Sequence, residues 1–224
     1  MTLMKTDQKN VAFLLFPEAE ELDFAGPWEV FNVWRAHADG AVHCYTVAET
    51  KGPVMMAKGL GIVAEYDFEN CPPPDVLVAP GGWGTRREVD NIELIDFIRR
   101  SAAGCEHVLS ICTGAFLLHA AGLLAGKRAT THWGSLDRLR ALGDVEVVEE
   151  RWVRDGNVWT SAGVSAGLDL ALAFVADAAG DDAASRTQMQ AEFFPEGVRY
   201  GDRWKADDAP CYLAAESPKS RASE

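Results

Sequence analysis

One junction in the chain restricts its fold more than any other feature. In HVLSICTGAFLLHAAGLL, residues 107–124, a short hydrophobic strand sequence gives way to a helical one within two residues, and Cys112 stands at the change, with Ser110 and Gly114 two positions away on either side. Small-x-nucleophile-x-small spacing belongs to a sharp strand-to-helix turn. The central residue is held there in a strained conformation that lifts its side chain clear of a sheet, so its neighbours must be small. The helix that starts at Thr113 aims unpaired amides at the sulfur, which predicts a depressed thiol pKa. In open α/β sheets ligands bind at the carboxyl ends of strands, which is where Cys112 falls. The competing reading is a core cysteine, and it suits Cys44 on its strand; Cys71, Cys105 and Cys211 sit in loops or the tail without an activating neighbourhood.

The rest of the chain alternates in the way such a turn requires. Residues 10–16 (NVAFLLF) read as a buried strand ended by Pro17, followed by an acidic loop, EAEELDFAGP. Gly26 and Pro27 then open a helix, PWEVFNVWRAHA, because a proline loses no hydrogen bond in a first turn. A strand follows at 41–48, and short segments at 53–57 and 61–65 read as a hairpin or edge strands. Further strands are expected at 75–80 and 107–111, with two or three short ones between 145 and 160. Helices are expected at 91–104, 113–121, 134–142, 164–179 and near 181–192. Strands alternating with helices predict a single-domain, doubly wound α/β fold, its mostly parallel sheet sandwiched by helices. The domain spans 10–192. Residues 1–9 read as a disordered or extended N-terminus, and 193–224 as a partly ordered extension rich in Pro, Gly and charge.

Composition narrows the partners. With 48% apolar and 25% charged residues the chain has the mixture of a globular protein, and 224 residues against about 150 per domain fit one large domain. A net charge of −13 repels a phosphate backbone, so no nucleic-acid partner is expected. No apolar run approaches the roughly 18 residues of a spanning helix, and the start lacks a secretory signal; no membrane partner is expected and the chain reads as cytoplasmic. Five cysteines without C-x-x-C spacing indicate neither a disulfide framework nor a zinc site.

Two further features bear on chemistry. The loop Gly81, Gly82, Trp83, Gly84 ends another buried strand, where bare backbone can bring amide donors to a reacting atom, although alone it reads equally as an unliganded turn. A partner acid or base is less obvious. Of the five histidines, His119 lies two turns into the helix after Cys112 and reads as a helix-face residue. His132, in TTHWG, reads as structural, with a place on the pocket wall as the alternative. Asp23 stands between Leu22 and Phe24 in the loop after the first strand. Apolar neighbours make it a candidate for a raised pKa, while spacing alone favours a solvated or capping carboxylate. Trp28, Trp83 and Trp133 are candidates for an apolar wall, with simple packing the commoner use of tryptophan.

At this point ELDFAGPWEVF, DVLVAPGGWG, SICTGAFLLHAAGLLAGKRATTHW and VSAGLDLAL resemble the ThiJ/PfpI superfamily, with its flavodoxin-like, class I glutamine-amidotransferase-like fold, over residues 10 to about 192. Within it the Cys-Thr-Gly elbow, the Leu-Asp-x-x-Gly-Pro loop and the Ala-Thr-Thr-His-Trp segment are most similar to isonitrile hydratases, and similar also to the sensor halves of AraC-type regulators. The resemblance implies Cys112 as nucleophile, Asp23 as the acid paired with it, and Thr113 as a neighbour supplying an amide or hydroxyl. It implies Gly82 and Trp83 as backbone donors and Val164 as an apolar residue packed beside the thiol. A small-molecule substrate, a homodimer, no metal and no cofactor follow from the same likeness. Peptidase-like members carry a histidine after the cysteine, where this chain has Thr113, and the His-x-Glu of glutamine amidotransferases is missing downstream. About thirty residues follow residue 192, too few for the regulators' tandem helix-turn-helix.

The expected activity is hydration of an organic isocyanide to an N-substituted formamide through a thioimidate on Cys112. Glyoxalase-like chemistry on α-oxoaldehydes, a redox role with Cys112 oxidised beside a protonated Asp23, and a non-catalytic sensor are the alternatives.

Overall fold

The computed structural model describes residues 8–194, 209 and 211–214; the disordered or extended N-terminus expected before residue 8 and most of the partly ordered extension expected after 192 lie outside the described residues. Seven strands form the central sheet: β1 (Lys9–Leu14), β2 (Val42–Ala48), β5 (Tyr66–Asp67), β6 (Val76–Ala79), β7 (His107–Ile111), β10 (Trp152–Asp155) and β11 (Val158–Ser161). Their spatial order is β10-β11-β7-β6-β1-β2-β5. Every neighbouring pair is parallel except β10 with β11. β3 (Pro53–Met55) and β4 (Gly61–Val63) make the expected hairpin, and β8 (Arg128–Ala129) pairs with β9 (Glu146–Val147).

The helices are α1 (Glu21–His37), α2 (Thr85–Glu88), α3 (Ile92–Gly104), α4 (Gly114–Ala120), α5 (Leu136–Arg140), α6 (Ala166–Ala179), α7 (Asp181–Gln190) and α8 (Cys211–Ala214). From β1 the chain steps one way to β2, and from β6 the other way to β7. Because parallel crossovers are right-handed, the two steps put their helices on opposite faces of the sheet. α1, α6 and α7 accordingly pack together on one face, and α3 and α4 on the other. With both faces covered, the four residues of β6 are all buried, as are the last four of β1 and of β7. The reversal lies between β1 and β6, and it brings the carboxyl ends of β1, β6 and β7 side by side.

One expectation needs correction. The first helix begins at Glu21, six residues before Pro27, so Asp23 belongs to its first turn and not to a loop. Glu21 and Asp23 suit a helix N-terminus electrostatically, and Pro27 in the second turn removes one hydrogen bond without ending the helix. Pro27 is buried against α6, where a Cβ on Gly167 would meet its Cγ at 3.1 Å, and that packing offsets the lost bond. α2 and β5, too short to show a period, are elements the sequence reading does not contain.

Gly114 sets how closely α4 approaches β6, because a Cβ there would overlap the Ala79 carbonyl oxygen and come within 2.9 Å of the Pro80 oxygen. Gly114→Ala is expected to lower stability by about 1–3 kcal/mol, the cost of overpacking against a backbone that cannot move aside. Gly104→Ala, with no atom within 4 Å of the new methyl, is expected to be neutral or to stabilise by up to about 1 kcal/mol. Urea midpoints of the two variants check the contrast.

Candidate active site

Cys112 takes the conformation its spacing predicts: φ is +56° in a non-glycine residue, between the end of β7 and the start of α4. The turn is pinned by three hydrogen bonds. Its N–H donates to the Ser161 and Ala162 carbonyls at 3.1 and 3.2 Å, and its own carbonyl accepts the Thr131 hydroxyl at 2.7 Å. These bonds come from the segment after β8 and the end of β11, so neighbouring elements hold the left-handed residue in place. The backbone amides of Thr113 and Val164 and the Thr113 hydroxyl face the sulfur. Val164 is itself left-handed at φ +44°. Besides the apolar contact that the resemblance implied, Val164 brings its amide to bear on the sulfur and lines the same pocket as Cys112.

Asp23 reaches the same point from α1. It is fully buried, its Oδ2 accepts the Gly81 N–H at 2.9 Å, and its carboxyl adjoins the Cys112 thiol, while Oδ1 makes no well-formed hydrogen bond. Gly81 has no room for a side chain. A Cβ there would overlap the Thr113 nitrogen and stand 2.7 Å from Thr113 Oγ1 and 2.9 Å from Asp23 Oδ2.

Burial dominates the protonation of this pair. It pushes Asp23 up to about 8, with a smaller push from the Glu20 charge, against the Gly81 amide, which pulls the other way. The raised carboxyl pKa is the outcome Asp23's apolar neighbours suggested. The depressed thiol is not found. Burial, and after it the Asp23 charge, push Cys112 up to about 12, against the pull of the Thr113 and Val164 amides. The seven-residue α4 is a weak counterweight to removing a sulfur anion from water. At neutral pH the pair therefore rests as carboxylic acid beside thiol.

Thr113 is clamped: its Oγ1 accepts the Gly82 N–H at 3.0 Å and lies 3.1 Å from the Thr85 hydroxyl, which also donates to the Gly82 carbonyl at 2.8 Å. This corrects part of the donor expectation, since the Gly82 amide is already engaged. The Trp83 N–H has no acceptor among the described residues. The loop after β1 holds the glycine loop from the other side, with Gly84 N–H donating to Glu18 O and Glu20 N–H to Gly81 O. A Cβ on Gly82, at φ +122°, would collide with that strap.

Above the pair opens a pocket of about 260 Å³, lined by Gly82, Trp83, Cys112, Thr113, His132 and Val164, and also by Glu20, Arg86, Gly134 and Ser135. The last four, with Thr85 beneath, were missed. Glu20 is one of several acids in EAEELD and Arg86 one of two adjacent arginines, so only their proximity to the Gly-rich loop hinted at them. His132 does line the pocket. Its Nδ1 accepts the Gly134 N–H at 3.1 Å, which leaves the proton of the neutral ring on Nε2, and burial lowers its pKa. Trp83 stands at the mouth, 62% exposed. Trp133 is exposed outside the lining, and Trp28 packs edge-on against Phe13 at 5.1 Å, so neither forms the proposed wall. His119 is a helix-face residue, as expected, 2.8 Å from Asp144. Among the described residues no group of three or more His, Cys, Asp or Glu side chains is placed to hold a metal ion, and no helix is long and apolar enough to cross a membrane.

A buried acid and thiol on an elbow at the switch point of a parallel sheet define a class, and sequence comparison agrees: residues 9–177 match the DJ-1/PfpI family model, and the chain belongs to that family. It is 40% identical over 213 residues to an isonitrile hydratase of Pseudomonas putida, covering 95% of this chain and 90% of that one. It is also 31% identical over 180 residues to the HTH-type transcriptional regulator CdhR of Pseudomonas aeruginosa, a match that spans 80% of this chain and 53% of the regulator. Among solved structures, a ThiJ/PfpI family protein from Pseudomonas syringae superposes with a TM-score of 0.81 at 33% identity, covering 95% of this chain and 89% of that one.

Two outcomes follow from the protonation of the pair. Between the unfolded carboxylate pKa and about 8 the folded state keeps a proton that the unfolded state loses, so this group's contribution to stability falls as pH rises through that window. Asp23→Asn is expected to gain stability relative to the parent from pH 4 to 8, by at most about 1.4 kcal/mol per pH unit, and to level off above, as measured by urea denaturation across pH. The same variant removes the charge that raises the thiol, so alkylation of Cys112 by iodoacetamide at pH 9 is expected to be faster than in the parent, followed by peptide mass spectrometry.

Proposed function

We propose that this chain is an isonitrile hydratase: it adds water to an organic isocyanide and releases the N-substituted formamide. The observation that carries the reading is the neutral Asp23 carboxyl beside the Cys112 thiol at the floor of a small pocket, supported by a near full-length likeness to a protein of that activity. An isocyanide carbon needs both a proton and a nucleophile, and this pair supplies one of each without a net change of charge.

The Asp23 carboxyl protonates the terminal carbon, and the Cys112 sulfur bonds to that carbon as its own proton passes to the Asp23 carboxylate. The product is a thioimidate, R–N=CH–S–Cys112. The Thr113 and Val164 amides stabilise the sulfur as its proton leaves. Water then adds, its oxygen to carbon and a proton to nitrogen. The C–S bond breaks, the thiol regains its proton, and R–NH–CHO departs, so one isocyanide and one water give one formamide. The unengaged Trp83 N–H is the remaining donor at the wall. A homodimer belongs to the same reading: Leu22, Met55, Leu60 and Val63 are exposed apolar side chains around the β3–β4 hairpin, which Glu21 ties to the start of α1.

Cys112→Ala is expected to abolish turnover, and Asp23→Asn to lower kcat by about 10²–10⁴-fold, the usual contribution of a general acid. Loss of the isocyanide infrared band with appearance of the formamide checks both. Unchanged rates in either variant, or turnover of methylglyoxal but of no isocyanide, would reject the assignment.

A further inference from the structure

The pocket carries charge that hydration of a simple alkyl isocyanide does not use. Arg86 lines it, with its guanidinium 4.0 Å from the centroid of the Trp83 ring at the mouth. Arg138, on α5, lies 4.4 Å from the Phe116 ring centroid and close enough to Arg86 for the two charges to oppose each other; burial first, and then Arg86, lower its pKa. Neither guanidinium has an ion pair or side-chain hydrogen bond among the described residues, although the chain carries a net charge of −13. Arg87, one residue on, contrasts with them: it pairs with Glu18 and Glu88. Of the other ionisable groups of the lining, Glu20 is the one anion, and its charge is felt at Asp23 and His132. Lys58 pairs with Glu20 at 2.7 Å and offsets part of its charge, while burial lowers the His132 pKa.

Aromatic stacking holds an arginine over a ring face and leaves the edge of its planar fork free, the part that accepts a carboxylate through two parallel hydrogen bonds. Size agrees. A cavity of about 150 Å³ accommodates benzene, so 260 Å³ above the thiol holds an isocyanide with a short substituent and a terminal charged group.

We infer that the pocket selects isocyanides whose substituent ends in a carboxylate, which Arg86 binds with Arg138 adding to the local field. This rests on the hydratase reading for the reacting end and adds the class of substrate.

Isocyanoacetate and its neutral methyl ester are the probes, with N-formylglycine, the carboxylate product, as a binding ligand that needs no turnover. The expected result is a kcat/KM ratio favouring the carboxylate by about 10–100-fold, the range of a charged hydrogen-bonded contact, expressed mainly in KM. The ratio is expected to fall by about tenfold or more in R86A/R138A and by less in R86K, where a point charge replaces the fork. Equal or ester-favouring kinetics in the parent, or a ratio unchanged in the double variant, overturns the inference while leaving the hydratase reading intact. If neither probe is hydrated but N-formylglycine binds the parent in calorimetry and not the double variant, the anion site stands and the hydratase reading fails. Absence of both turnover and binding overturns both.

Discussion

The structure turns on a carboxyl and a thiol that share a water-poor space. Asp23 has 0% exposure and Cys112 6%, so neither ionises at its ordinary pH, burial being the main cause and the neighbouring group a lesser one. Ionised, the two would repel in a low-dielectric setting; neutral, they make an acid and a latent nucleophile within reach of one reacting atom. The absent side chain at Gly81 and the closely applied loops follow from this requirement, because a methyl group at Gly81 would run into the Thr113 backbone and the Asp23 carboxyl.

Holding that pair has a structural cost, which the surrounding hydrogen bonds offset. Cys112 and Val164 occupy left-handed conformations that L-residues avoid, and Gly82 lies at φ +122°. Cys112 and the glycine loop are crossed by bonds from elsewhere. Thr131 holds the Cys112 carbonyl, Ser161 and Ala162 hold its amide, and Thr113 and Thr85 fix the glycine loop. The strain sits where three strand ends meet, and the rest of the sheet is regular.

Much of the architecture was legible because buried parallel strands are short, apolar and bounded by glycine or proline. Strands 10–16, 75–80 and 107–111 fall within a residue or two of β1, β6 and β7. Misreadings occur where local rules compete with packing. Pro27 reads as a helix start, yet α1 runs through it because the ring docks on Gly167; α2 and β5 are too short to show a period. At the site, the elbow spacing placed Cys112 and its left-handed turn correctly but misjudged the thiol's pKa, since helix polarity is visible in sequence and desolvation is not. Glu20, Arg86 and Thr85 escaped notice because nothing in their neighbours distinguishes a pocket wall from a solvated surface.

The amino-acid order alone determined the strand-helix alternation, the small residues around Cys112 and the glycine loop after a buried strand, because each is written in local spacing. Only the tertiary structure decided that Asp23, 89 residues earlier in the chain, lies against that sulfur. The sheet reverses its winding between β1 and β6, and that reversal carries three distant strand ends to one place. The depth at which they meet sets the protonation of the pair.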